Sequence, residues 1–199
     1  RMLHSFTPKA VSGLVGIVAL GLASQAGAAV INGSDFTNGL SNQSIGGINF
    51  TSSPGTFQKK TIAGFTGVGV SGGATSDEID IGESITGTGA FFLQSITLAF
   101  LFNGPEFNDV REIAQITING INYTLTTAAI SDTTAAWTGP GTVSNLSPAD
   151  GNDAAVWQIS GINLATTTLS FTALAGACGS SGGDCTNQSD YGIYRIEYT

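Results

Sequence analysis

The chain has almost no histidine and few charges. Its 199 residues contain six lysines and arginines, fourteen aspartates and glutamates, and one histidine, His4. A Ser-His-Asp or Cys-His catalytic system needs a base that titrates near neutral pH. Because no imidazole follows residue 4, the sequence argues against both kinds of nucleophilic hydrolase, and we expect a protein that is not an enzyme.

Cysteine is also scarce. The chain has only Cys178 and Cys185, which enclose the loop GSSGGD. In an oxidising compartment we expect a disulfide between them. The alternative is a metal site, but structural zinc usually takes four ligands, and the remaining part of the chain supplies no second pair of cysteines. The disulfide is therefore the preferred interpretation, and it would fix a local loop.

Basic residues are rare after residue 28. Residues 29–199 hold four basic and fourteen acidic side chains, a net charge of −10. A surface this acidic repels phosphate backbones, so we expect no nucleic-acid partner, whereas divalent cations and neutral polysaccharide stay open. With 41% hydrophobic residues and a mean hydropathy of +0.21, the composition predicts a folded domain.

The first 28 residues have the pattern of an export signal. Basic residues near the start precede an apolar run, Val11 to Leu22, and the small residues Ala26-Gly27-Ala28 suit a cleavage site. The alternative is a membrane anchor or a pilin-type stalk, since a span needs roughly 20 apolar residues. We predict a signal peptide over 1–28, membrane contact only through this leader before cleavage, and one secreted domain over 29–199.

Short apolar or β-branched segments between turn signals predict strands along most of the domain. The predicted strands are Ile48–Ser52, Thr61–Val70, Ser84–Thr88, Phe91–Phe102, Glu112–Ile118, Ile121–Thr127, Ala154–Ser160, Thr167–Leu174 and Tyr191–Tyr198. This pattern indicates an all-β fold, an antiparallel β-sandwich that is jelly-roll-like. An immunoglobulin-like arrangement is the alternative, although its Cys…Trp…Cys spacing is absent.

Three local features sharpen the fold prediction. Asn119-Gly120 separates two alternating runs, which predicts a hairpin with a type I′ turn. In the strand that begins at Phe91, apolar residues alternate with other residues, and this alternation shifts by one position at Gln94-Ser95. The shift predicts a β-bulge there. The Asn-, Ser- and Gly-rich segment 29–55 is predicted to lie against the sandwich as an extended N-terminal arm.

Catalysis by paired carboxylates is the one enzymatic route that the composition leaves open. Its best candidates are Glu106, Asp109 and Glu112 in the stretch NGPEFNDVREIAQ. The alternative is a solvated loop in which Arg111 pairs with a neighbouring carboxylate, and we prefer it.

Two acidic stretches are candidates for calcium, a hard cation that accepts six to eight oxygen ligands. In Asp77 to Glu83 the carboxylates of Glu78 and Asp80 would share one face of a strand, and Asp150 and Asp153 flank a second oxygen-rich turn. Neither stretch has the spacing of an EF-hand. The alternative for each is a turn whose side chains bond their own backbone.

Aromatic residues are candidates for contact with sugar rings, although they also fill sandwich cores. Trp137 precedes Gly139-Pro140-Gly141, a loop-like setting, and Tyr191 begins the last strand. These two are the predicted glycan-binding residues, with Tyr123 and Tyr194 as further possibilities. Trp157, in the apolar run AAVWQI, is predicted to lie in the core.

Three stretches together are similar to one bacterial family: 67–85 (GVGVSGGATSDEIDIGESI), 96–120 (ITLAFLFNGPEFNDVREIAQITING) and 189–198 (SDYGIYRIEY). They resemble the secreted proteins of Gram-negative bacteria that carry a PEP-CTERM sorting tail. The resemblance implies a β-rich domain associated with exopolysaccharide and the extracellular matrix, with no catalytic residues shared across the family. The tail itself, a Val-Pro-Glu-Pro element before an apolar helix, is missing from residues 1–199.

These patterns lead to two expected functions. The first is a non-enzymatic structural or adhesive component of the bacterial cell surface or extracellular matrix, in one version a filament subunit whose N-terminal arm adds to the sheet of the next copy. The second is a carbohydrate-binding module for extracellular polysaccharide. The expected partners are accordingly extracellular polysaccharide or further copies of the chain.

Overall fold

The computed structural model describes residues 27–102, 111–128, 131–150, 152–176 and 189–199. Within these ranges the chain forms twelve β-strands, one 3₁₀ turn (Gly33–Asp35) and no α-helix. The strands are β1 (Ala29–Asn32), β2 (Asn42–Ile45), β3 (Ile48–Ser53), β4 (Phe57–Ile62), β5 (Phe65–Val70), β6 (Ser84–Ala99), β7 (Ile113–Ile118), β8 (Ile121–Ala128), β9 (Ser131–Trp137), β10 (Thr142–Ser147), β11 (Val156–Leu174) and β12 (Gly192–Tyr198).

Every pairing between these strands is antiparallel, which confirms the predicted all-β sandwich class. The finer jelly-roll connectivity stays a prediction. No helix among the described residues has the length and apolar character that crossing a membrane requires. The leader lies outside the described residues except for its last two positions, so its role stays a prediction as well.

Hydrogen bonds join all twelve strands into one continuous sheet, in which the two longest strands, β6 and β11, pair with each other. The two parts of this sheet that enclose the core are here called sheet I and sheet II, and β6 and β11 belong to both. Sheet I contains β4, β5, β12, the second half of β6, the first half of β11, and β10, with β1 beside β12. Sheet II contains β2, β3, the first half of β6, the second half of β11, β7, β8 and β9. Strands that pass from one sheet to the other do so at bulges or bends.

Bulges stand where β6 and β11 cross between the sheets. The register of this pair shifts between Ser160 and Leu164, where Gly161 (φ 74°) and Asn163 (φ 51°) take left-handed conformations. Glycine and asparagine tolerate that region better than other residues. Opposite β12, Glu197 pairs with Ser95 and Tyr198 with Leu93, so Gln94 is the extra residue on β6. The predicted bulge at Gln94-Ser95 is confirmed.

The hairpin at Asn119-Gly120 is also confirmed. It joins β7 to β8, with Ile118 opposite Ile121. Asn119 has φ 50° and Gly120 has φ 82°, and positive φ at both central residues is what a type I′ turn requires. The asparagine side chain adds a tertiary contact, since its Oδ1 accepts a hydrogen bond of 2.8 Å from the backbone N of Thr167.

The core fills the space between the two sheets. Phe36 contacts Phe50 of sheet II and Phe57 of sheet I edge to face, with 5.0 Å between ring centroids in each pair. Trp157 is buried, as predicted, and its indole Nε1 donates a 2.8 Å hydrogen bond to the carbonyl oxygen of Leu101. Buried aromatic pairs of this kind add to the area that they remove from water.

Segment 29–55 does not form an extended arm. β1 pairs with β12, β2 with β3, and β3 with β6, while Ile31 and Phe36 are buried in the core. The physical reason is alternation, which is clearest in β3, where Ile48 and Phe50 face inward while Asn49 and Thr51 face outward. The prediction of an arm was therefore wrong.

Phe36→Ala tests whether this segment is part of the cooperative core. We expect the free energy of unfolding to fall by about 3–5 kcal/mol, because the substitution removes two ring contacts and leaves a cavity. Urea denaturation followed by tryptophan fluorescence measures it. Leu40→Ala is the control, since that side chain is 43% exposed and a surface change of this kind alters stability by roughly 0.5 kcal/mol or less. Equal effects of the two substitutions would contradict the assignment.

Candidate functional site

An acidic loop, residues 71–83, packs across sheet I and contains two of the predicted calcium ligands. The backbone N of Val70 donates to the carbonyl oxygen of Glu78 at 2.9 Å, and that of Ile79 donates to Tyr191 at 2.7 Å. The approach is so close that a Cβ at Gly69 would lie 2.2 Å from the Cα of Glu78. Glycine at position 69 is therefore required for the loop to reach the sheet.

Glu78 forms an ion pair across the sheet edge. Its Oε2 lies 2.8 Å from Nζ of Lys60, and the same Nζ lies 5.6 Å from the ring centroid of Phe100. Burial is the largest single influence and opposes the protonated form of Lys60, but the carboxylates of Glu78, Asp77 and Asp190 together outweigh it, so the pKa of Lys60 is raised. Glu78, predicted as a calcium ligand, therefore forms an ion pair with the ammonium group of Lys60 in this structure.

Asp80 holds the acidic loop closed. Its carboxylate accepts hydrogen bonds from the backbone N of Thr75 (2.8 Å) and from Thr75 Oγ1 (2.9 Å). Glu83 accepts a 3.0 Å hydrogen bond from the backbone N of Asp80. Both side chains are buried, and burial raises the pKa of each above its ordinary range.

The second pair of predicted calcium ligands stabilises a turn. Asp150 Oδ1 accepts a 3.2 Å hydrogen bond from the backbone N of Asn152, and Asp153 Oδ1 accepts a 3.4 Å bond from Ser147 Oγ. Among the described residues no group of three or more His, Cys, Asp or Glu side chains is placed to hold a metal ion. Calcium at Glu78, Asp80, Asp150 or Asp153 stays a prediction.

The predicted catalytic carboxylates are only partly within the described residues. Glu106 and Asp109 lie outside them, as do both cysteines, so the disulfide between Cys178 and Cys185 stays a prediction. Glu112 is buried, not solvated. Its Oε2 accepts a hydrogen bond from the backbone N of Phe102, and its own backbone N donates to Thr127 Oγ1 at 2.9 Å. Glu112 thus ties together two parts of the chain.

Tyr191 is buried and cannot meet a glycan, so that prediction was wrong. The side chain has no exposed surface, and its hydroxyl donates a 3.0 Å hydrogen bond to the carbonyl oxygen of Thr172. Burial raises the pKa of the phenol well above its ordinary value. Tyr191 precedes a strand whose inward residues fill the core, and it occupies such an inward position.

Trp137 is half-buried at the end of β9. Its ring lies 5.6 Å from that of Tyr123 at an interplanar angle of 44°, and its Nε1 donates to the carbonyl oxygen of Pro140 at 2.9 Å. Gly139 packs against both rings. Two tilted rings do not form the flat platform on which a sugar chain stacks, so glycan contact at Trp137 stays a prediction.

Six strands of sheet II (β2, β3, β6, β11, β7 and β8) carry rows of uncharged polar side chains on their outward side, here called the hydroxyl face. One row of directly paired residues crosses six strands. In spatial order it contains Asn42, Thr51, Thr86, Ser170, Thr117 and Asn122. A parallel row contains Ser53, Ser84, Thr172, Gln115 and Thr124, and a shorter one contains Ser44, Asn49, Thr88 and Thr168. None of these side chains carries a charge.

Hydrogen bonds between strands fix several groups of the hydroxyl face. Thr86 Oγ1 and Ser170 Oγ lie 2.8 Å apart, and Thr117 Oγ1 donates to Asn122 Oδ1 at 2.8 Å. In the next row Gln115 Nε2 donates to Thr172 Oγ1 at 3.3 Å. Bonds of this kind between opposite residues stabilise the sheet and hold the hydroxyls in defined orientations.

The outward side of sheet I has a different character. Ala99, Phe100, Ala154 and Val156 form a second small buried cluster there. Half-buried apolar side chains cover it: Ile62, Phe65, Phe102 and Tyr194. Phe65 and Tyr194 meet edge to face at 5.2 Å. The outer side of sheet I thus differs from the hydroxyl face, because it carries a buried apolar cluster beside the Lys60–Glu78 ion pair.

Sequence reasoning did not identify the hydroxyl face. The signal was present, because Thr and Asn alternate with apolar residues in several predicted strands. The register that aligns those residues across six strands depends on long-range pairing, as between Thr51 and Thr86 or Ser170 and Thr117. No local pattern contains that information.

Comparisons with protein-family models, with curated proteins and with solved structures find no match to this chain.

Glu83→Gln tests whether ionisation of the two buried carboxyl groups, Asp80 and Glu83, destabilises the fold. Because burial raises both pKa values from their ordinary 3.8 and 4.5, their stabilising contribution is present below the ordinary values. This contribution to stability is lost as the pH rises through the raised pKa values of the folded protein. In the variant the amide oxygen of the glutamine can still accept the hydrogen bond from the backbone N of Asp80, but one buried charge is gone. We therefore expect the free energy of unfolding to fall less between pH 4 and pH 7.

Urea denaturation at several pH values measures that difference. Asp150→Asn is the control, because it removes one charge from an exposed turn and should leave the pH dependence close to that of the unmodified chain. A Glu83→Gln profile that parallels the unmodified one would show that burial of Glu83 does not contribute.

Proposed function

We propose that the protein is a non-enzymatic, exported component of the bacterial cell surface or extracellular matrix, with an adhesive or structural role. The observation that carries this proposal is the hydroxyl face. Its longest row crosses six strands without a charged side chain, although the domain has a net charge of −10, so this surface offers a partner neutral hydrogen-bonding groups.

The roles of the buried carboxylates support a non-enzymatic reading. Asp80 and Glu83 accept hydrogen bonds from their own loop, and Glu112 accepts one from the backbone of Phe102. A glycosidase needs two carboxyl groups facing each other across a substrate cleft. These three side chains instead stabilise the backbone around them.

Two edge positions of the sandwich are already paired within the chain itself. Phe57, on the outer strand β4, exchanges backbone hydrogen bonds with Gly39 (3.0 Å) and Leu40 (2.8 Å) of the same chain. Near β9 and β10, the backbone N of Ala149 donates to Asp132 at 2.8 Å. Strand addition needs an unpaired edge, and at these places the chain already occupies its own edges.

The resemblance to PEP-CTERM proteins and the export-type leader supply the location in this proposal. Proteins of that family are associated with exopolysaccharide, which matches a surface suited to uncharged, hydrogen-bonding partners. A carbohydrate-binding module is the second candidate, and the same hydroxyl face favours it over a site built on Trp137, whose ring is tilted against that of Tyr123.

Fractionation of the producing cells tests the proposal. We expect the protein to be found mostly in the extracellular matrix or on the cell surface, lacking its leader, as measured by immunoblot and N-terminal sequencing. A chain without residues 1–28 is the control and should stay in the cytosol. Retention of the unmodified chain in the cytosol, or release into the medium without matrix association, would contradict the proposal.

A further inference from the structure

We propose that the hydroxyl face binds a neutral polysaccharide chain, which lies across sheet II along the row from Asn42 to Asn122. This inference rests on the proposed function and names the partner of the same surface. It places the binding site on residues that form neither an aromatic platform nor a cation site.

The charge of the domain sets the class of partner. With a net charge of −10 over residues 29–199, the protein repels anionic polymers at long range. A cationic polymer would find no carboxylate in the three rows of the hydroxyl face. A neutral polymer meets neither obstacle, and its hydroxyl groups match the donors and acceptors of Thr, Ser and Asn side chains.

The face is also prepared for binding before a ligand arrives. Thr86 and Ser170 bond each other at 2.8 Å, as do Thr117 and Asn122. Side chains that are already ordered lose less conformational entropy when a partner binds. Each of these hydroxyl and amide groups still has further donor or acceptor capacity for a sugar hydroxyl.

The dimensions favour a single polymer chain over a crystal surface. Six strands at the usual spacing of about 4.8 Å span about 24 Å, which is enough for several sugar rings. Neighbouring strands in a sheet are rotated by roughly 20–25°, so the row turns as it crosses the sheet. A flexible chain can follow that twist, whereas a flat crystalline surface could touch only part of it.

An exposed aromatic side chain, Phe92, lies on the same outward side of β6 as the threonines of the hydroxyl face. Phe92 is 40% exposed and points outward, as do Thr86 and Thr88 along the same strand. Aromatic rings bind the apolar faces of sugars. Phe92 therefore supplies an apolar surface beside the hydroxyl rows, farther along β6 than Thr88 and past the register shift that follows it.

Affinity electrophoresis with matched polymers tests the inference on the intact domain, residues 29–199. The neutral probes are hydroxyethylcellulose, xyloglucan, galactomannan and dextran, and carboxymethylcellulose is the anionic counterpart. We expect at least one neutral polymer to retard the domain, with little change in 1 M NaCl because no ion pairs form. We expect carboxymethylcellulose to retard it less.

A face variant carries Thr86→Val, Thr117→Val and Ser170→Ala, which remove three hydroxyls and keep the β-branched shape at two of the positions. We expect at least about tenfold weaker binding, equivalent to about 1.4 kcal/mol. The control variant carries Thr61→Val, Thr142→Val and Ser144→Ala, at exposed positions of β4 and β10 in sheet I, and should bind as the unmodified domain does. Circular dichroism establishes that both variants are folded.

Each outcome has a defined meaning. Binding to none of the four neutral polymers, preference for carboxymethylcellulose, or equal binding by the face and control variants would overturn the inference. If a folded domain fails these tests but still fractionates with the matrix, the proposed function stands and only the partner is wrong. If the unmodified domain elutes as a dimer in gel filtration and the face variant elutes as a monomer, the face binds a second copy of the chain. The polysaccharide is then the wrong partner.

Discussion

The antiparallel pairing of β6 with β11 is the contact on which the rest of the sandwich depends. β6 spans 16 residues and β11 spans 19, and each one contributes to both sheets. Four other strands, β3, β7, β10 and β12, pair directly with β6 or β11, and β1, β2, β5 and β8 pair with those four. Because register shifts at Gly161 and Asn163 divide the pairing, the two halves diverge and enclose one core between them.

Those shifts explain which parts of the fold could be predicted from sequence. The Asn119-Gly120 hairpin was predictable because its turn and its register are both local. β6 and β11 were each predicted as two strands, since Gly89 and Gly161 look like interruptions when only their neighbours are considered. The predicted strand Thr61–Val70 is instead parts of β4 and β5, which are joined by a turn at Ala63 and Gly64, both with positive φ. β9 and β10 flank a Gly-Pro-Gly loop and were not predicted.

The candidate sites were harder to predict, because burial and pairing decide what a side chain does. Glu78 and Asp80 alternate as the sequence indicated, yet one bonds Lys60 and the other bonds Thr75. Neither partner follows from the spacing of the carboxylates, since Lys60 lies on another strand and Thr75 depends on how the loop closes. Tyr191 and Trp157 show the same ambiguity, because an aromatic residue in an apolar strand fits a core and an exposed platform equally well.

Several of the few charged side chains among the described residues are paired within the fold, and none lies in the three rows of the hydroxyl face. Lys60 is paired with Glu78 and Arg195 with Glu197, each at 2.8 Å, while Glu112 bonds the backbone of Phe102. A surface that recognises its partner through hydrogen bonds between neutral groups gains little from any one contact. Such a surface becomes effective when the partner repeats, because many weak contacts along one polymer add to a useful avidity. Salt screens charge pairs at the exposed surface but hardly affects neutral hydrogen bonds. Adhesion through the hydroxyl face would therefore persist at ionic strengths that release a charged adhesin.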